Sequence, residues 1–126
     1  MSKDKRTFDL EERLIDFAVR IIRIAESLPK DRVGNHIAGQ LVRCGTSPAP
    51  NYGEAQSAES RSDFIHKMKV CLKELRETRV WLLMIVRANL IKPVSKIEPL
   101  LKESHELISI FVTSVETARK RMKKPS

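Results

Sequence analysis

The feature that most constrains this chain is a run of apolar residues whose spacing alternates between four and three. Leu10, Leu14, Phe17, Ile21, Ile24 and Leu28 keep that rhythm. The spacing sets them in one stripe along an α-helix, the seam of a helix that packs in a bundle. A second stripe, Ile15, Ala18, Ile22 and Ala25, runs beside it, so the apolar face is wider than one partner helix requires. Asp9, with Glu12 three positions on, predicts a capping box near the start of this helix. Ser27-Leu28-Pro29 predicts its end, because proline disfavours helical geometry in the residue before it.

Three more helices follow from the same reasoning. Asp31 is a plausible cap for a second helix that carries Val33, Ile37, Leu41 and Cys44 on one face. Pro48 and Pro50 lie in its path and lack the N–H that a helix needs. The helix is therefore expected to kink or break between residues 46 and 51, then resume through Glu54 and Ala58. Ser60 or Ser62 caps a third helix with the stripe Phe64, Met68, Cys71, Leu75, Thr78, Leu82, Ile85 and Asn89. Residues 80–86 are apolar on every side, a pattern that asks for burial on every side. Pro93 suits the start of a fourth helix with Ile97, Leu100, Ser104, Leu107, Phe111, Val115, Ala118 and Met122. Short connections make neighbours antiparallel. The expected fold is a single all-α domain over residues 1–126, an up-down-up-down four-helix bundle. Its surplus apolar surface argues for association between copies.

Charge narrows the function. The formal net charge is +8, but residues 1–8 contribute +2 and residues 119–126 contribute +5, which leaves about +1 for the body between. Basic tails on a near-neutral body suit a polyanion such as RNA or DNA, or serve solubility alone. Arg119, Lys120, Arg121, Lys123 and Lys124 are unopposed by any acid. On the third helix Lys69, Lys73 and Arg76 share a face, joined loosely by Arg61 and Lys67, with Glu74 and Glu77 interrupting. That face is either a solvated surface with local ion pairs or a phosphate-binding one, and symmetry between copies would strengthen the latter.

The search for chemistry is mostly negative. Cys44 and Cys71 are far apart and set among apolar residues, which fits reduced thiols and a cytoplasmic location. No secretory signal or membrane-length apolar run is present. Asp63 and His66 stand one helical turn apart, but a di-iron bundle needs a second such pair, and Lys102 occupies the matching place before His105. No nucleotide-binding loop, hydrolase elbow or zinc-protease motif occurs. The expectation is a protein without catalytic residues, metal or cofactor.

Three stretches carry a resemblance to a known family: residues 8–29 (FDLEERLIDFAVRIIRIAESLP), 40–55 (QLVRCGTSPAPNYGEA) and 62–82 (SDFIHKMKVCLKELRETRVWL). Together they resemble the bacterial four-helix-bundle proteins encoded in intervening sequences of 23S ribosomal RNA genes. The resemblance runs from Phe8 to about Arg119. It implies an antiparallel bundle assembled as a homopentameric ring, binding to RNA or DNA, and a poorly defined biological role. Similar bundles serve reverse transcriptases of retroelements as accessory proteins, so it also implies an alternative role as a protein-interaction scaffold. Arg43, Ser47, Asn51, Glu54 and Trp81 are the family-motif positions, expected to be structural or to line an interface. Pro48 and Pro50, with Gly53, depart from the family, in which this stretch continues the helix.

Overall fold

The computed structural model describes the backbone of residues 2–123 and the side chains of residues 10–123. Lys124, one of the expected phosphate contacts, lies outside the described residues, as do the side chains of the first basic segment. The elements are α1 (Ser2–Ser27), α2 (Arg32–Thr46), α3 (Pro48–Gln56), α4 (Arg61–Arg87) and α5 (Glu98–Lys123). A single 3-10 turn, Val94–Lys96, precedes α5. With α2 and α3 taken as one interrupted member, these are the four helices of the bundle. α1 lies against α2, α4 bridges α2 and α3 to α5, and α5 returns to α1.

The helix ends follow their local chemistry. The Asp31 carboxylate accepts from the Gly34 N–H at 2.8 Å, and Ser60, not Ser62, caps α4 by accepting from the Asp63 N–H at 3.0 Å. α4 ends in a Schellman motif: Leu90 N–H donates to Ile85 O and Asn89 N–H to Val86 O, each at 3.1 Å. Asn89 supplies the left-handed residue, with φ 55°, a conformation asparagine tolerates better than most residues. Asn89 therefore stands outside the seam that the spacing assigned to it. Two other expected ends differ. α1 begins at Ser2, ahead of the Asp9 box, and α5 begins at Glu98, because Pro93 opens the 3-10 turn rather than the helix.

The interruption between α2 and α3 is mild in geometry. Ser47 keeps helical dihedrals, φ −69° and ψ −38°, so what fails is the hydrogen-bond ladder at the two prolines. The ladder resumes where Asn51 N–H donates to Ser47 O at 3.2 Å. α3 drops Tyr52 and Ala55 into the core, where the Tyr52 ring meets Phe111 edge-on at 6.0 Å.

The core is built from the predicted seams. Leu14, Phe17, Ile21, Leu41, Met68, Leu75, Leu82, Ile85, Leu107 and Phe111 are all essentially inaccessible. Two polar seam residues satisfy themselves inside their own helices: Thr78 Oγ1 donates to Glu74 O at 2.7 Å and Ser104 Oγ to Leu101 O at 2.8 Å, which removes the cost of burying a hydroxyl. α1 and α2 approach so closely that a Cβ on Gly45 would lie 2.6 Å from Ile21 Cγ2. The seam predictions fail at Val33 and Met122, which are exposed because they sit at helix ends past the reach of the neighbouring helices.

The surplus apolar residues remain uncovered in the single chain. Of the second stripe on α1 only Ala25 is buried; Ile15 and Ile22 are exposed, and so is Val19 beside them. On α4, Val80 and Met84 are 48% and 45% exposed. Four helices cover one side of each other and no more.

Candidate nucleic-acid interface

Lys69, Lys73 and Arg76 project from α4 at helical spacings of four and three, and all three are exposed. Among the described residues none of them enters an ion pair or a side-chain hydrogen bond. The two acids expected to interrupt this face do not reach it. Glu74 is buried, and its carboxylate accepts from Arg43 Nη1 at 3.2 Å. Glu77 accepts from Arg43 Nη2 and, at 3.0 Å, from Trp81 Nε1. Both carboxylates thus face α2, where one guanidinium answers them. The outward side of α4 keeps its positive charge.

The Arg43 cluster gathers further groups. Gln40 Oε1 accepts from Arg43 Nε and Nη2 at 3.3 and 3.1 Å, and the His36 ring meets Trp81 edge-on at 5.9 Å. Of the five motif positions, Arg43 and Trp81 meet here through Glu77. Asn51 and Ser47 form a second pair, with Asn51 Nδ2 donating to Ser47 O at 3.0 Å and Ser47 Oγ at 2.9 Å. Glu54 forms a third with Lys67, whose Nζ donates at 2.7 Å. That bond raises the Lys67 ammonium pKa and takes Lys67 out of the open basic field. The motif residues lock α2 and α3 to α4 and to themselves.

The cationic C-terminal segment is helical. Arg119, Lys120, Arg121 and Lys123 lie in the last turns of α5 and are exposed, where their charge also favours the negative end of the helix dipole. Because α5 runs antiparallel to α4, these turns end beside the start of α4. Ala118 and Arg121 of α5 line the same cleft as Arg61 and Phe64 of α4. Arg61 and Arg121, sixty residues apart in sequence, thereby share one end of the bundle, and Lys69, Lys73 and Arg76 follow along α4 towards its middle. Glu59 and Glu116 are exposed acids of the same region and reduce its charge without cancelling it.

Three features of this surface escape a reading of the sequence alone. Arg61 and Phe64 join the α5 residues only through the antiparallel return. Glu77, four positions past Lys73 and so at the edge of the basic face, is drawn towards α2 by Arg43, on the side where helical spacing already sets Glu74. Arg13, which no motif singles out, holds α1 to α5 by donating to Glu103 at 2.8 and 3.0 Å and to Glu106 at 3.2 Å. Among the described residues no group of three or more His, Cys, Asp or Glu side chains converges as a metal site, and His66 is exposed beside its helix. No described helix is long and apolar enough to cross a membrane.

Comparison with known proteins gives the family. A family model described as 23S rRNA-intervening sequence protein matches residues 6–113. The chain belongs to that family. A solved structure from Bacteroides thetaiotaomicron, described as a protein with unknown function from the S23 ribosomal protein family, shares 31% identity and superposes with a TM-score of 0.78. The match covers 84% of this chain and 97% of that one. No curated protein matches. The family match ends at residue 113, before the cationic turns of α5, so those turns lie outside what defines this chain as a 23S rRNA-intervening sequence protein.

Proposed function

We propose that this member of the family is a non-enzymatic, homo-oligomeric module that binds RNA or DNA through the outward face of α4 and the end of α5. The observation that carries the reading is the sequestration of Glu74 and Glu77 by Arg43, which leaves Lys69, Lys73 and Arg76 as unpaired cations along α4 towards its middle, while Arg119, Lys120, Arg121 and Lys123 stand at the bundle end where α4 begins. Lysine and arginine held this way neutralise phosphates and release counterions, so affinity falls with salt by roughly one log unit per log unit for each phosphate engaged. Titration of a labelled RNA at several salt concentrations tests this. A slope of several units is expected; affinity unchanged between low and moderate salt rejects it.

Self-association is supported by the exposed apolar residues of α1, Ile15, Val19 and Ile22. A ring, with five copies as the family resemblance implies, repeats each basic end around an axis and multiplies its charge. Light scattering on the eluting protein distinguishes a multiple of the 14.4 kDa chain from a monomer. Ile15→Asp with Ile22→Asp leaves helical content intact and reduces the mass if this stripe joins copies.

A second reading rests on a different surface. Val80, Leu83 and Met84, with Arg87 and Ala88, line an open apolar cleft near the end of α4, chemistry that suits a helix of another protein better than a phosphate. A scaffold or accessory subunit, for example to a reverse transcriptase, uses such a cleft. A partner captured after nuclease treatment, and released by Met84→Asp, favours this role.

A further inference from the structure

The cleft between the start of α4 and the end of α5 has a composition that the phosphate-contact reading does not use. Its volume is about 420 Å³, within the range of small-ligand sites. Three alanines, Ala55, Ala58 and Ala118, form part of its lining, and side chains that stop at Cβ leave room there. Phe64 adds an aromatic ring, half-buried against the core. Arg61 and Arg121 bring two guanidinium groups to the lining from residues sixty positions apart, and among the described residues neither is held in an ion pair. Glu59 contributes one carboxylate, so these three side chains sum to about +1. That charge suits a single phosphate attached to a flat, uncharged body better than a polyphosphate or the doubly charged flank of a duplex.

We propose that this cleft seats one nucleotide of a single-stranded nucleic acid, its phosphate on Arg61 and Arg121 and its base against Phe64. The inference rests on the nucleic-acid reading and sharpens it. Guanidinium groups bind phosphate oxygens in paired hydrogen bonds. A base stacks on an aromatic ring only when it is free of its own helix, so the seat selects unpaired strands. Lys69, Lys73 and Arg76 then follow the neighbouring phosphates without regard to pairing.

The test compares a short fluorescein-labelled oligoribonucleotide with its blunt duplex by fluorescence anisotropy, using the full chain. Arg61→Gln with Arg121→Gln is expected to weaken single-strand binding about tenfold while changing duplex binding no more than the charge-matched control Lys120→Gln with Lys123→Gln, which removes two exposed cations from the same end of α5 but none from the cleft. Phe64→Leu keeps the apolar volume and removes the π face; a single-strand loss of about fivefold or more is expected, with helical content unchanged by circular dichroism. Should Phe64→Leu unfold, the arginine pair decides alone. Equal losses for single strand and duplex in the arginine variant overturn the seat and leave the broader reading standing. Failure of the wild-type chain to bind either probe rejects both.

Discussion

The guanidinium of Arg43 on α2 stands 3.2 Å from the carboxylate of Glu74 on α4, and Glu74 is only 8% exposed. Glu74 has little water of its own, while the Arg43 side chain is 51% exposed, so removing Arg43 costs the carboxylate its charged donor with water as a partial substitute. Arg43→Ala is expected to lower the thermal midpoint clearly, while Arg43→Met combined with Glu74→Leu recovers most of the loss. Thermal unfolding followed by circular dichroism measures both. An Arg43→Ala midpoint equal to wild type shows that the cluster contributes nothing to stability.

Core packing gives a second expectation. Leu75 is fully buried, and Leu75→Ala is expected to cost about 2–5 kcal/mol, because apolar atoms are removed and a cavity takes their place. Gly45→Ala works by the opposite route, pushing a methyl against Ile21, at a cost of about 1–3 kcal/mol. In the double variant Gly45→Ala with Ile21→Ala the two effects are expected to fall short of their sum, because each relieves the other. Urea midpoints in a double-mutant cycle measure the coupling.

Burial pushes the Cys71 thiol up to about 12 from an ordinary value of 9.0, and burial raises Cys44 too. The folded state therefore holds these protons after the unfolded chain has released them. Stability is unaffected below pH 9 and falls as pH climbs from there towards 12, where the unfolded thiolates gain. Ellman's reagent is expected to react with both thiols only on unfolding at neutral pH. Denaturation midpoints that stay level between pH 8 and pH 11 contradict this account.

Charge removal separates fold from binding. Lys120, Arg121, Lys123 and Lys124 replaced together by glutamine leave the core untouched, since the three described members are exposed. The expected result is an unchanged thermal midpoint with weaker RNA binding and a shallower salt dependence, lower by roughly one unit for each phosphate no longer engaged. Salt titrations of both proteins check it. Identical binding removes the end of α5 from the interface.

Much of the fold was legible because its signals are local. The 4-3 spacing of Leu10 to Leu28, the caps at Asp31 and Ser60, and the two prolines at positions 48 and 50 each act within a few residues of chain, and the structure bears them out. The start of α5 was misplaced because Pro93 is equally at home in a 3-10 turn, and Asn89 looked like a seam residue because a helix's final stop depends on backbone geometry that spacing does not encode. The candidate interface was less legible. Charge signs along α4 show Glu74 and Glu77 among the lysines; spacing already sets Glu74 on another side, and the packing of α2 reveals the guanidinium of Arg43 that holds both acids. The cleft at Arg61 and Arg121 belongs to no contiguous motif; it exists because one helix comes back alongside another.

That return has a consequence in time. Arg61 and Arg121 are separated by sixty residues of translation, about 3–12 s at ordinary elongation rates. During that interval α4 has been made while the final turns of α5 have not. An emerging polypeptide thus holds only one wall of the cleft, and the second wall arrives when the last helix docks. The cleft is thereby among the last features of the molecule to be completed.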